Sequence, residues 1–449
     1  MRPQNISSTL ARILGGAEPG ERVDRVARQV DPTHEIAAVI KAAQLAGSHP
    51  ILFEQVAGSD IPVISNIYSD HDRLRRFIGA AGNEGFCQKW LDIVATADDR
   101  DCTVSGKRPD AGWQSCRLSD LPRITYHERD GGPYLTTAIF LAKEPDTSVP
   151  NLSFHRSMMV GDDELRVRLG SSHDLARYQR KAEERGEALE AALLIGVKPS
   201  LFMAACASLP YDRSELAIAA RIDGAPVEMR RCVSIDLEVP VDAEIVVEGR
   251  FLPNIRRPEG PFGEFLGNYV EVGDNHVFEV THVSRRPDAV FHALLCGSDE
   301  DLRPLEATTA ARVYGHLRNV MSGVLDVSCH PTTMMTIIRL RTEYEGHGKH
   351  ALLAALGSNL DYNKVVIAVD EDVDIHDMDD VMWAYLTRGR ADTRAMVLSD
   401  VPGFYRDPQK DHWGRLAIDA TMPWGRQAEF QRKQIPGLAG LKLSDYLDA

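Results

Sequence analysis

Between Gly131 and about Ser298 this chain runs through strand after strand with a single clear helix, and on both sides helical and strand patterns alternate. Few folds accommodate that order. The stretches 134–141, 190–197, 243–252 and 276–283 each have strand length between turn residues. The one helix among them, Asp174 to Arg185, is stopped by Gly186, which takes the left-handed C-terminal conformation without a Cβ penalty. A long β-rich domain, a split barrel, is the expectation for this region.

From Asp31 to about Asp98 a helix at Glu35–Ala43 and a strand at Ile61–Ser65 predict a small α/β unit, and the polar stretch 99–132 reads as a connection. A single helix is expected from Leu305 to Met321, ended by Ser322-Gly323. A strand at 333–340, a helix near 350–356, a strand at 364–370 and a helix at 377–386 then predict a second α/β unit. The expected fold class is mixed α/β (α+β): an N-terminal α/β unit over residues 1–105, a central β-rich domain over 106–304, a linker helix over 305–322 and a C-terminal α/β domain over 323–449 with a tail helix.

At 449 residues the chain exceeds what one core usually serves, consistent with that division. With 43% hydrophobic and 26% charged residues it reads as an ordinary globular protein, and a net charge of −15 argues against a nucleic-acid partner, which would need a basic face. The basic runs at 255–257 and 284–286 are short and read as solvated loop ends or anion contacts. Seven scattered cysteines with no Cys-x-x-Cys spacing point to free thiols in a reducing compartment. No apolar run approaches bilayer length and the N-terminus lacks an apolar leader, so the expectation is a cytoplasmic protein without a membrane partner.

The densest chemistry lies in Glu259-Gly-Pro-Phe-Gly-Glu264, which fixes two carboxylates five residues apart on a segment too rich in Gly and Pro to read as regular helix or strand. Such a pair suits general acid/base work, and the alternative is an acidic surface loop. In Asn151-Leu-Ser-Phe-His-Arg156, Arg156 can hold a carboxylate with two parallel bonds, although an Arg after a loop is more often a surface residue. Asn151, His173 and Glu215 offer the oxygen and nitrogen donors that Mn²⁺ or Mg²⁺ accepts better than zinc does; scattered residues of these types are otherwise structural. Small residues at Ala204-Ala-Cys-Ala207 allow close backbone approach to a flat cofactor or a cation, or simply tight packing, and Lys364 at a strand start could reach a phosphate or be solvated.

Taken in order, the segments 151–156, Glu215 with 219–224, 240–249 and Glu259 to Glu264 resemble the UbiD family of reversible decarboxylases over at least 131–306, and 366–374 resembles the family's C-terminal domain. The resemblance implies prenylated FMN with Mn²⁺ (or Mg²⁺) and a K⁺ ion, in a cleft between the central and C-terminal domains. It implies catalytic roles for Arg156, Glu259 and Glu264 and metal ligation by Asn151, His173 and Glu215. Thr136, Ser153, Phe154, His155, Arg156, Ser172, His173, Ala205 and Cys206 would face the cofactor, and Lys364 its phosphate. The activity implied is non-oxidative, reversible decarboxylation of an unsaturated acid (aromatic, heteroaromatic or α,β-unsaturated) through a covalent adduct with the flavin, Glu264 donating the proton. A separate flavin prenyltransferase would supply the cofactor, and a homodimer or larger homo-oligomer is implied. The same chemistry could run as a carboxylase. A non-catalytic scaffold would have no need of Arg156, Glu259 and Glu264 together, and a metal-dependent hydrolase would call for a clustered His motif that is missing. Apolar residues near Ile418 to Trp424 are expected at the substrate.

Overall fold

The computed structural model describes residues 22–47, 49–80, 85–100, 102–105, 112–170, 173–330, 332, 334–358, 362–401, 404, 407, 414–437, 441 and 446. It forms two compact units, residues 1–315 with 329–334, and residues 316–328 with 335–449.

In the first unit the chain begins with the expected α/β pattern. The strands Asp24–Val26, Ile51–Phe53 and Val63–Ser65 lie side by side, and the fourth strand of that sheet is Phe291–His292, which arrives from far along the chain and pairs in parallel with Val63 and Ile64. Helices Glu35–Ala46, His71–Phe77 and Phe86–Thr96 accompany it, and the Asp70 side chain caps the second by accepting from the Arg73 amide at 2.8 Å.

The β-rich middle is one antiparallel sheet of nine strands, the half-barrel of the expected split-barrel domain. Its spine is the long hairpin of Ile245–Glu259 and Gly273–Arg285, interrupted by a register shift between Glu248 and Gly249 and another between Phe251 and Arg256. The alternation Leu189, Ala191, Leu193, Ile195 sends one face of the strand Leu189–Ile195 into a core shared with Phe140, Val247, Phe251 and Phe278. Helix Asp174–Glu184 ends as expected, with Gly186 at a φ of +70°.

Four expectations are corrected. The single strand over 134–141 is two, Tyr134–Leu135 and Ile139–Lys143, because Thr136 bonds Tyr126 through its hydroxyl and Thr137 bonds the His292 carbonyl through its own. The connection over 99–132 contains the strands Thr103–Ser105 and Gln114–Cys116. Glu259 is the last residue of a fifteen-residue strand and Phe262–Gly263 is a short strand of its own, so the acidic segment is sheet on both sides of the Gly260-Pro261 break; Pro is tolerated where a ladder ends. The helix expected from Leu305 spans Asp299–Val320. Pro304 hides its first turn in the sequence, and Glu300 anchors that turn by accepting from the amides of Asn66 and Ile67 and the hydroxyl of Ser65.

In the second unit five strands lie in the order Val324–His330, Met335–Leu340, Val365–Asp370, Gly414–Asp419, Ala395–Ser399, with the inner pairs parallel and the last antiparallel. Helices His347–Ser358 and Met378–Arg388 accompany it, the second capped by the Asp377 side chain. Ile418 belongs to the core of this sheet, with Ile337, Ile367 and Val369, because alternation along the strand turns it inward. Fully buried Arg388 is held by Asp370 and Asp372. The expected tail helix at 441–447 lies, apart from Leu441 and Tyr446, outside the described residues. Among the described residues no helix is long and apolar enough to cross a membrane, and all seven cysteines are free.

Candidate active site

The strand Pro150–Phe154 carries Asn151 and Ser153 on one face, and the chain continues through His155 to Arg156. Glu259 closes the long strand, and Glu264 follows the short one. Gly131 backs the turn between them: a Cβ there would sit 2.2 Å from the Gly260 carbonyl oxygen, so only glycine permits the approach.

Arg156 joins the two acids. Its Nε donates to Glu259 Oε1 at 3.1 Å and its Nη2 to Glu259 Oε2 at 3.0 Å, a two-pronged pairing, while Nη1 donates to Glu264 Oε2 at 2.8 Å. The three side chains are nearly enclosed, at 8%, 0% and 9% exposure for Arg156, Glu259 and Glu264. The Phe262 ring lies 4.6 Å from the guanidinium carbon and supports it by cation–π attraction. Glu259 also accepts from the Tyr134 hydroxyl at 2.7 Å and the Asn275 amide at 2.8 Å, so its burial is compensated. Burial and the neighbouring Glu259 push the Tyr134 hydroxyl upward, keeping it a donor.

A second group gathers around Glu215. Ser214 caps helix Glu215–Asp223 by accepting from the Leu216 amide, which places Glu215 in the first turn against the strand Pro150–Phe154. Glu215 accepts from the Leu152 amide at 2.8 Å and from the Asn151 Nδ2 at 3.3 Å to each oxygen. Asn151 Oδ1 accepts from Ser153 Oγ at 2.9 Å, His155 Nε2 lies 3.0 Å from the same hydroxyl, and the His155 ring meets the His173 ring at 5.2 Å. Burial pushes the Glu215 carboxyl up to about 8. Turning the Asn151 amide over would set its oxygen beside those of Glu215, the donor arrangement a hard divalent cation takes, so the residues present fit such an ion.

The other sequence candidates fall as follows. The Thr136 hydroxyl donates to Tyr126 and accepts from the Leu294 amide at 3.3 Å. Phe154, on the opposite face to Ser153, packs its ring 4.9 Å from Phe202. Ala205 ends helix Pro199–Ala205, and Cys206 follows, its thiol against the Phe202 carbonyl. Lys364, in the second unit, pairs with Asp407 at 2.6 Å. Ser172 lies outside the described residues. Tyr134, Phe262 and Asn275 are not singled out by the sequence; only the position of Phe262 between the two acids signals it.

Arg156 thus bridges two enclosed acids, and Asn151, Ser153 and Glu215 form a second polar group. Models of the N-terminal, Rift-related and C-terminal domains of 3-octaprenyl-4-hydroxybenzoate carboxy-lyase match residues 18–91, 102–299 and 304–420. An anhydromevalonate phosphate decarboxylase of Methanothermobacter thermautotrophicus is 32% identical over 89% of this chain and 95% of its own length. The UbiD-class enzyme HmfF from Pelotomaculum thermopropionicum, solved in complex with FMN, matches with a TM-score of 0.92 and 34% identity over 99% of this chain and 100% of its own. An evolved dimeric form of HmfF in complex with prFMN matches at 0.88 and 33%, with the same coverage. The chain belongs to the UbiD family and is a carboxy-lyase.

Proposed function

We propose that the protein decarboxylates an unsaturated carboxylic acid, aromatic, heteroaromatic or α,β-unsaturated, with prenylated FMN as cofactor. The observation that carries this reading is the sharing of Arg156 between Glu259 and Glu264, and the FMN and prFMN complexes of HmfF support the cofactor. When bound, the prenylated flavin would supply the electron sink that an unsaturated carbon losing CO₂ lacks. Asn151, His173 and Glu215 would hold Mn²⁺ or Mg²⁺, whose charge would neutralise Glu215 and attract a flavin phosphate. Thr136, Ser153, Phe154, His155, Ala205 and Cys206 would face the flavin, and Lys364, paired with Asp407 here, is proposed for its phosphate.

The chain's own residues then divide the work. Three of the five N–H donors of Arg156 are engaged by the two glutamates, and the remaining two, one on each Nη, would orient the substrate carboxylate. Glu259, taking two of the bonds, fixes the guanidinium; Tyr134 and Asn275 hold Glu259 in turn. Glu264, held by Arg156 through Oε2, would carry a proton to the carbon that has lost CO₂. Enclosure of all three keeps water from competing for that proton. Supply of the cofactor by a separate flavin prenyltransferase, and assembly as a homodimer or larger homo-oligomer, belong to the same proposal.

The test is co-expression with a flavin prenyltransferase in the presence of Mn²⁺, followed by absorbance and mass analysis of the small molecule released on denaturation. A prenylated flavin, replaced by FMN without the partner enzyme, is expected; no bound flavin would overturn the reading.

A further inference from the structure

Glu259 closes a fifteen-residue strand, whereas Glu264 follows a strand of two residues, Phe262–Gly263, paired with Tyr269–Val270. So short a hairpin does not hold an acid in place by itself. The turn 127–131 braces it. That turn is closed by the Asp130 amide, which donates to the His127 carbonyl at 3.1 Å, and by Asp130 Oδ2, which accepts from the His127 amide at 2.9 Å. Three bonds then reach the hairpin: the Gly131 amide donates to the Pro261 carbonyl at 2.8 Å, the Gly263 amide to Asp130 Oδ1 at 2.8 Å, and the Arg129 amide to the Tyr269 hydroxyl at 3.2 Å.

The Asp130 carboxylate is wholly buried, and its one ion-pair contact among the described residues is His127 Nδ1 at 3.4 Å. A buried carboxylate is costly unless donors meet its oxygens. Here the donors are two backbone amides, one in its own turn and one in the strand that leads to Glu264. A Cβ on Gly263 would sit 2.4 Å from His127 Nδ1, so glycine at that position lets the turn close on the strand. The Glu264 amide in turn donates to the Asn268 carbonyl at 2.9 Å. The backbone at Glu264 is therefore fixed from two sides, by Asp130 through Gly263 and by Asn268 across the hairpin.

We propose that Asp130 is a positioning residue for the reaction: by holding the Gly263 amide it sets the backbone from which Glu264 meets Arg156 and delivers its proton. This rests on Glu264 being the proton donor. Arg156 and Glu259 are anchored separately, Glu259 by Tyr134 and Asn275. Loss of the Asp130 tether thus displaces the acid while the groups that hold the substrate carboxylate stay in place. Rate falls and affinity does not. A displacement of about 1 Å at a reacting group is enough to cost on the order of a hundredfold in rate.

In the flavin-loaded enzyme, Asp130→Ala, which removes both acceptors, is expected to lower kcat per bound flavin by about tenfold or more with KM within about twofold, and Asp130→Asn, which keeps the Oδ1 acceptor, to stay within about threefold of the parent. A merely structural role would reduce the yield of flavin-bound protein and leave kcat per flavin unchanged. A second readout needs no cofactor. Phe262-Gly263 is the one Phe-Gly step in the sequence, so carbonyl-¹³C phenylalanine combined with ¹⁵N glycine marks a single amide for NMR. Its exchange with solvent should be slow in the parent, faster by about tenfold or more in Asp130→Ala and near parental in Asp130→Asn. If Asp130→Ala does not fold, Asp130→Ser, whose hydroxyl stays in the turn and falls short of Gly263, takes its place in both measurements. A parental kcat per flavin in the variant lacking the tether, or a Gly263 amide whose exchange is indifferent to Asp130, would overturn the proposal. Failure of the decarboxylase reading shows differently: the parent enzyme would release CO₂ from no acid while the Gly263 amide still depended on Asp130.

Discussion

Arg156 and Glu259 form a fixed unit, joined by two parallel bonds at 3.1 and 3.0 Å with Glu259 wholly buried. Lysine offers a point charge where this site needs a planar fork. Arg156→Lys is therefore expected to lose turnover by roughly a hundredfold, through misplacement of the substrate carboxylate and Glu264, without losing the flavin. Steady-state rates beside a flavin absorbance spectrum check both parts.

Glu215→Gln keeps the shape of the side chain and its acceptor for the Leu152 amide while removing the charge a divalent cation would meet. Metal retention after dialysis should fall by more than about tenfold, and bound flavin should fall with it. Elemental analysis and absorbance on the same sample measure the two together, and chelation of the parent protein should reproduce the loss.

Glu144 ties strand to helix in the first unit, accepting from Lys181, from the amides of Asp146 and Thr147 and from the Tyr211 hydroxyl. Burial acts to raise its carboxyl, but Lys181 and these donors hold it down at about 2 against an ordinary 4.5. A depressed carboxyl stabilises the fold above its unfolded value and loses that contribution as pH falls toward the folded one. The melting temperature of the parent should drop between pH 4.5 and about 2, and Glu144→Gln should flatten that part of the profile.

Gly297→Ala would place a methyl group against the Phe265 backbone and force a non-glycine residue into a left-handed φ. A stability loss of about 1–3 kcal/mol is expected in denaturant unfolding, together with reduced turnover as the Phe265 backbone shifts the adjoining Glu264.

The order of elements was legible because periodicity survives in single runs: the helix ended by Gly186 and the strand Leu189–Ile195 both fall within two residues of expectation. Arg156, Glu259 and Glu264 were visible as residue types at a fixed spacing. Their supports were not. Asn275 reaches Glu259 only because the hairpin register sets Arg257 opposite Asn275 and Glu259 opposite Gly273, and register is a property of the paired strands. Phe291–His292 is too short to carry a period, and the turn Asp299–Leu305 was masked by Pro304, whose cost is met by contacts from Glu300 to a distant sheet.

The most direct measurement is decarboxylation in D₂O by the prenylated-FMN-loaded enzyme and its Glu264→Gln variant, over a panel of unsaturated acids, with CO₂ release and deuterium in the product both followed. The account predicts that the parent places deuterium on the carbon that loses CO₂, and that Glu264→Gln retains the flavin yet releases no product. Near-parental turnover by Glu264→Gln would contradict it.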